Sequence, residues 1–237
     1  MKVSIIIPAH NEESVIEPTI RAALAQNHPD FEVMVVDNAS TDGTRAVALN
    51  LGVRVINEPR KGLPNAREAG RLAARGEFIA NIDADCLPDP SWLSRGLSHF
   101  DDPSVVAVTG PYDYYDGNAL FKRSSLITQK CLYQPVSFIF QLPFIRLGAI
   151  MIGGNNIIRA SSLAKAGGYD TSFGFDGEDA RTAKMMSAYG KVAFDPSLIM
   201  KTSARRFKKE GFFNITYRYW YHFFKAMFWK RSKAVMH

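Results

Sequence analysis

Cysteine is scarce in this chain of 237 residues: only Cys86 and Cys131 occur, and neither has a partner at metal-ligand spacing. That argues against a disulfide framework or a structural zinc site, and two buried thiols are expected instead. Long apolar runs are missing as well. No stretch has the length a membrane span needs. The opening run, Val3 to Ile7, is cut by Pro8 before it reaches the size of a signal peptide's apolar region, so the chain is expected to stay in the cytosol. Glycine is absent from Pro8-Ala9-His10-Asn11-Glu12-Glu13, the turn after that run. A dinucleotide-binding domain needs a glycine-rich turn there so that pyrophosphate can approach the backbone, and a sugar nucleotidyltransferase wants glycines with a basic residue; the turn argues against both. Acidic residues almost vanish after residue 200, where ten basic residues face Glu210 alone, while the preceding body is mildly acidic. A nucleic-acid binder would continue its basic track over the body, so nucleic acid is not an expected partner.

What is present is a regular alternation. With 46% hydrophobic residues the chain can bury one large core, and one compact α/β domain with a tail is expected. Val3 to Ile7, Phe31 to Val36, Val53 to Ile56, Phe78 to Ile82 and Val105 to Thr109 read as buried strands. The first helix is expected behind an N-cap at Asn11, with Glu12 and Glu13 in its first turn and Val15, Ile16, Ile20, Ala23 and Leu24 at helical spacing. Ser40, Thr41 and Asp42 offer caps to a second helix, and two more run through Ala66 to Ala73 and Trp92 to Phe100.

Strand and helix in turn fit parallel crossovers, and in such a sheet the strand carboxyl ends open on one edge, where ligand binds. Here that edge gathers Pro8 to Glu12, Asp37-Asn38 and Asp83 to Asp85. Asp83 and Asp85 stand two apart where the chain leaves the pleat, so their carboxylates can converge on one ion. An oxygen-lined pair suits Mg²⁺ or Mn²⁺ with positions left for substrate phosphates. The alternative is a turn made with Pro88. His10 is read as a hydrogen-bonded structural group.

Four segments in this order and spacing, Ser4 to Glu13, Val35 to Thr44, Gly62 with Ala66-Arg67 and Gly70, and Asp83-Ala84-Asp85, resemble the family 2 glycosyltransferases of the GT-A fold over about residues 3–206. The resemblance implies an α/β fold with a mostly parallel, Rossmann-like sheet flanked by helices. A nucleotide-binding half would span 1–110, an acceptor-binding half 111–206, and an aromatic, basic helical tail 207–237. It implies transfer of a sugar from a nucleotide-diphosphate sugar, a UDP-sugar foremost, to an acceptor hydroxyl with inversion and with a divalent metal, Mn²⁺ or Mg²⁺. By the same resemblance Pro8, Ala9, Asn11, Glu12 and Gly62 belong to the nucleotide pocket, Asp37 and Asn38 face base and ribose, Asp85 is the principal metal ligand, and Asp83 turns toward ribose or donor sugar. Many members carry a second aspartate where this chain has Asn38, which leaves the base open. Arg67 matches an arginine near the nucleotide and can pair with phosphate or hold an aspartate in place.

The second half is less regular. Gly153-Gly154-Asn155-Asn156 offers glycines for close backbone approach and amides for sugar hydroxyls of an acceptor, or else a turn. The helix Ser161 to Ala166 ends at Gly167-Gly168, a C-cap signal. Gly-Gly-Tyr-Asp followed by Glu178-Asp179 also resembles the family, which implies Asp179 as general base with Glu178 beside it; as plain first-turn carboxylates they would leave the base unassigned. Ser203-Ala204-Arg205-Arg206 resembles a stretch that closes over the donor phosphates. The Gln-x-x-Arg-Trp signature of processive synthases is absent, so one sugar per encounter is expected. Cys131 to Ile152, apolar but broken by Pro135, Gln141, Pro143 and Arg146, reads as helices packed near the active site, with plain core packing expected first and contact with a membrane as the alternative. In the tail, Phe213, Tyr217, Trp220, Phe224 and Phe228 share one helical side, and Arg218, His222 and Lys225 another. Such a helix can lie in the interface of an anionic membrane or pack on the domain.

The expectation is therefore a glycosyltransferase peripheral to the inner face of a membrane, acting on a lipid-linked or other membrane-associated glycan. The alternative is an inactive sugar-nucleotide-binding or scaffolding protein of the same fold.

Overall fold

The computed structural model describes residues 1–145, 147–172 and 177–228, with backbone only at 212, 213, 220 and 227. Nine strands occur among them: β1 (Val3–Ala9), β2 (Phe31–Asp37), β3 (Arg54–Asn57), β4 (Phe78–Ile82), β5 (Val105–Thr109), β6 (Tyr112–Tyr114), β7 (Asn155–Arg159), β8 (Lys191–Phe194) and β9 (Met200–Thr202). The main sheet has the order β3-β2-β1-β4-β7-β5-β8, and β7 alone runs antiparallel to both neighbours. β6 and β9 form a small parallel pair beside it.

Strand alternation divides the core into two layers. Val3, Ile5 and Ile7 of β1 and Phe78, Ala80 and Ile82 of β4 pack into one apolar cluster, while Ile6 and Ile79 enter the other. Both faces are therefore covered, as a parallel sheet requires. The first layer is completed by α1 (Ile16–Leu24), with Ile16 and Ile20, and by α4 (Trp92–Ser98), with Trp92 and Leu93; α2 (Thr44–Asn50) adds Ala48. The second layer is completed by Ala66 of α3 (Leu63–Ala73), Leu163 of α7 (Ala160–Lys165), and Ala183 and Met186 of α8 (Glu178–Ser187). Gly70 lets α3 lie close on the sheet, since a Cβ there would meet Ile6 Cγ2 at 2.5 Å.

The remaining helices lie outside these layers. α5 (Ala119–Thr128) and α6 (Gln134–Gln141) are joined through a π-helical turn at Gln129–Tyr133, and α9 (Arg205–Glu210) leads to α10 (Phe212–Phe228).

Three expectations change. The first helix begins at Ile16, not behind an N-cap at Asn11; Asn11 adopts φ +56° and its Oδ1 accepts from Thr41 N at 2.8 Å, tying two loops together instead. Cys86 is buried but Cys131 is exposed. The Cys131–Ile152 segment is core only at its far end: Ala149, Met151 and Ile152 are buried, whereas Leu132, Phe138 and Phe144 stand in the open. The Gly167-Gly168 helix end is as expected, with both glycines at positive φ after α7.

Candidate active site

The parallel strands β1, β2 and β4 deliver their last residues to one edge, where Ala9 is in register with Asp37, and Ile82 precedes Asp83. The loops on that edge are laced to one another. Glu12 N donates to Thr44 Oγ1 at 2.8 Å, Gly43 N donates to the Glu13 carboxylate at 2.9 Å, and His10 Nδ1 lies 2.7 Å from Asn38 O. Asp37 is buried and accepts from Ser40 N at 3.2 Å. The Asn38 amide is fully occupied: Nδ2 donates to Glu58 O and Arg60 O at 3.1 and 2.7 Å, and Oδ1 accepts from Gly62 N at 2.7 Å. Asn38 therefore braces the β3–α3 loop rather than presenting its amide to a base. Its departure from an aspartate has a physical reason, since a carboxylate has no N–H to give those two carbonyls.

Asp83 stands at the centre of the next shell. Its Oδ2 accepts from Tyr112 Oη at 3.0 Å, and its Oδ1 from Arg67 Nη2 at 3.3 Å. Arg67 is 2% exposed and forms a second ion pair with Glu178. Burial works against its charge, but the Glu178 and Asp83 carboxylates more than offset this and hold the guanidinium protonated. Of the two roles open to Arg67, holding an aspartate is the one this geometry displays. Gly153 and Gly154 make the space: a Cβ on Gly153 would meet Arg67 Nη2 at 2.7 Å, and one on Gly154 would meet Asp83 Cγ at 2.3 Å.

Asp85 accepts from Thr202 Oγ1 at 3.2 Å and from Arg205 Nε at 3.1 Å. The same guanidinium reaches Glu12 Oε1 at 2.7 Å, so Arg205 bridges two carboxylates. Burial, then the Asp83 charge, push the Asp85 carboxyl up to about 6 against the pull of Arg205, and Glu12 adds to the push. This concentration of negative charge at a strand tip fits a divalent cation. Among the described residues no three histidine, cysteine or acidic side chains make a ready-built cluster. The chain would thus offer Asp83 and Asp85 and leave the other positions to phosphate oxygens and water, the usual habit of Mg²⁺.

On the far side of Arg67, α8 opens with Gly177 at φ +85°, then Glu178 and Asp179. Glu178 is buried, paired with Arg67 and accepts from Thr182 Oγ1 at 3.1 Å. Asp179 is half-buried, accepts from Ala180 N at 2.8 Å and is otherwise turned to a cavity. Burial, then the Glu178 charge, push its carboxyl up to about 6. That cavity, about 520 Å³, is lined by Asp83, Asp179 and Arg206, with Tyr112, Tyr133, Met151 and Phe223 among its walls. Arg206 lines the cavity and turns to Glu210 at 3.3 Å and to Tyr219 Oη at 3.3 Å.

Asn155 and Asn156 do not face this cavity as acceptor-binding amides. They are 0% and 1% exposed within β7. Asn155 Oδ1 accepts from Trp92 Nε1 at 2.8 Å and its Nδ2 donates to Leu198 O at 2.8 Å; Asn156 Oδ1 accepts from Asn81 Nδ2 at 2.7 Å. Both are structural. Tyr112 and Thr202, which bond Asp83 and Asp85, were not singled out from the sequence; the signal available was only a polar residue just past the strand Val105 to Thr109, in Gly110-Pro111-Tyr112.

A mostly parallel sheet with an acidic tip, reversed by one strand, defines an α/β protein of the GT-A type. The chain belongs to glycosyltransferase family 2, whose profile, Glycosyl transferase family 2, matches residues 4–167. It is 32% identical over 145 residues to the glycosyltransferase AglE of Haloferax volcanii, covering 57% of this chain and 48% of that protein. It is 30% identical over 122 residues to the Escherichia coli UDP-Glc:alpha-D-GlcNAc-diphosphoundecaprenol beta-1,3-glucosyltransferase WfgD, covering 50% of this chain and 48% of that one. The chain thus matches about half the length of these curated relatives. Among solved structures, the mannosyltransferase PcManGT of Pyrobaculum calidifontis, in complex with GDP-Man and Mn²⁺, superposes with a TM-score of 0.71 over 98% of this chain and 65% of that one; at 23% identity this is a likeness of fold.

Proposed function

We propose that the protein transfers a glycosyl group from a nucleotide-diphosphate sugar, a UDP-sugar in the first instance, to an acceptor hydroxyl with inversion, one sugar per encounter. The observation that carries this reading is that Asp83, from the strand tip, and Asp179, from the start of α8, line one cavity. In a single displacement the acceptor oxygen attacks the anomeric carbon from the face opposite the leaving diphosphate, so a proton acceptor is needed across a gap from the diphosphate end. Asp179 is the proposed base: a carboxyl that ionises near pH 6 is charged at neutrality yet basic enough to take a hydroxyl proton as the bond forms. Glu178, locked to Arg67, orients α8 and raises the basicity of its neighbour.

Pro8, Ala9, Asn11, Glu12, Asp37 and Gly62 would line the nucleotide side, with Asn38 holding their loops. A divalent ion on Asp85 and Asp83 would neutralise the diphosphate oxygens. Arg205 would then be released from Asp85 toward the phosphates, with Arg206 close by. Gly153 and Gly154 would act on the acceptor side through the room they give Arg67 and Asp83. WfgD is named for a lipid diphosphate-linked acceptor. The aromatic walls of the cavity suit an acceptor of that kind, and Tyr217, Phe224 and Phe228, exposed on α10, would rest on the inner face of a membrane. The Phe213 and Trp220 side chains and residues 229–237, part of the same expected surface, lie outside the described residues.

The test is thermal stabilisation by UDP, GDP and dTDP with and without Mn²⁺, followed by hydrolysis of the matching nucleotide sugars. One nucleotide should raise the melting temperature in a Mn²⁺-dependent way, and Asp85→Ala should abolish both this and the hydrolysis. Equal hydrolysis in parent and variant would favour a non-catalytic binding protein.

A further inference from the structure

The helix that walls the cavity is built inside out. From Ala119 to Gln141 the chain runs helically through α5, the π-helical turn and α6. Its buried positions, Gln129 and Ser137, are polar and, like Gln141, bonded to the backbone of the domain. Gln129 Oε1 accepts from Tyr112 N at 2.9 Å, Ser137 Oγ accepts from Ile150 N at 3.1 Å, and Gln141 Oε1 accepts from Val192 N at 2.8 Å. Its outward positions carry large apolar side chains beside a few polar ones: Leu120 is 80% exposed, Phe138 66%, and Phe144, just past the helix end, 83%, with Arg123, Ser124, Thr128 and Gln134 also exposed. A helix of a water-surrounded domain shows the opposite pattern, with its apolar stripe facing the core. Large apolar side chains outside and amides inside make sense when the medium outside is itself apolar.

Charge selects among media. From Gly117 to Ile152 the sequence holds no aspartate or glutamate, while Lys122, Arg123, Lys130 and Arg146 occur; after Glu210 no acid occurs either. The structure makes these two acid-free segments neighbours. Phe140 stacks on Phe223 of α10 with ring centroids 6.1 Å apart. A second protein surface would be matched by mixed charges. Apolar side chains among cations, with carboxylates missing over two stretches remote in sequence, match an anionic bilayer.

We infer that the α5–α6 helix is a lipid-facing element that beds in the headgroup region of an anionic membrane beside α10. One side of this helix faces lipid and the other lines the cavity through Phe121, Ser125, Gln129 and Tyr133. An acceptor anchored in the same leaflet then reaches Asp179 from the plane of the bilayer, without leaving it. Only this last step, the route of the acceptor, rests on the proposed function; binding to the membrane does not.

The test uses the full chain. Leu120→Asp/Phe138→Asp, both at exposed positions outside the cavity lining, should lower partition onto phosphatidylglycerol-containing vesicles by about tenfold or more, while leaving melting temperature and nucleotide-induced stabilisation unchanged. A second measurement needs no variant. Cys131 is exposed on this helix and Cys86 is buried, so an environment-sensitive fluorophore will label Cys131 selectively. Its emission should shift to the blue on adding phosphatidylglycerol vesicles and much less with phosphatidylcholine alone. Unchanged partition in the variant, or no shift at Cys131, would overturn the inference. So would a dimer of the parent in sedimentation velocity that the double variant dissolves, with no vesicle binding by either, since the apolar face would then belong to a second copy. Loss of nucleotide stabilisation in the parent would strike the proposed function and leave this inference standing.

Discussion

Asp179 and Arg67 carry opposite electrostatic problems, and each gives a measurable consequence. The Asp179 carboxyl is raised from 3.8 to about 6 in the fold, so between those values the folded state keeps a proton that the unfolded chain has lost. Stability relative to a neutral side chain is therefore intact at low pH and falls as pH rises through about 6. Asp179→Asn, which keeps the oxygen that accepts from Ala180 N, should stabilise the metal-free protein by up to about 3 kcal/mol at pH 8 and by nothing at pH 3.5. Urea melts at the two pH values measure this. Arg67→Ala should cost about 3–5 kcal/mol in the same assay, because it strands Glu178 without its partner in the interior. Arg67→Lys should not restore it, since one ammonium on a flexible stem cannot replace a fork that holds Glu178 and Asp83 together. Asp83, Asp85 and Asp179 were legible as residues worth suspecting from their neighbours in sequence. That Asn38 and Asn155 serve the scaffold was not, because an amide in a loop-like stretch looks the same whether its hydrogen bonds go to ligand or to backbone.

At the level of elements, the strands with short apolar, largely β-branched or aromatic runs, β1, β2, β4 and β5, stand where their composition puts them. β7 was not legible as a strand. Gly153-Gly154-Asn155-Asn156 has the composition of a turn, and only the burial of the two asparagines between β4 and β5 shows that the chain reverses there into the middle of the sheet. The glycine pair belongs to that reversal. A Cβ on Gly154 would meet Tyr112 Oη at 2.4 Å as well as the Asp83 carboxylate, so Gly154→Ala should push Asp83 from its place. The expected result is a folded protein whose stabilisation by nucleotide no longer depends on Mn²⁺, read by thermal melts with and without the ion. The α1 boundary was missed for a related reason: Asn11 to Glu13 have cap chemistry, but their bonds go to the β2–α2 loop and the helix waits until Ile16.

Over the whole molecule, charge and exposure are unevenly placed. The strand tips carry Glu12, Asp37, Asp83 and Asp85, while α5, α6 and α10 carry cations and bare apolar side chains and no acid. The apolar segment after Cys131 leaves core packing and membrane contact both open in the sequence, because hydrophobic content cannot tell a buried side chain from one that faces another medium; the structure buries its far end at Ala149 and Met151 and exposes Leu132 and Phe138. The tail is anchored as well as exposed: Ile215 and Ala226 are buried against the domain while Tyr217 and Phe228 are 68% and 72% exposed. Tyr217→Glu/Phe228→Glu should therefore weaken binding to anionic vesicles without lowering the melting temperature, whereas cutting at residue 207 would also uncover the surface under Ile215. Co-sedimentation and thermal melts of the two proteins distinguish these effects.

Everything proposed for catalysis depends on Asp179 taking a proton in the cavity that Asp83 also lines. The direct test is to compare the parent and Asp179→Asn in two assays on the same preparation, calorimetric binding of the nucleotide with Mn²⁺ and turnover of its sugar conjugate. Binding should be unchanged and turnover reduced by about a hundredfold or more, with the parent's rate rising through pH 6 and the variant's flat. Turnover in Asp179→Asn equal to that of the parent, with the same pH profile, would contradict the assignment.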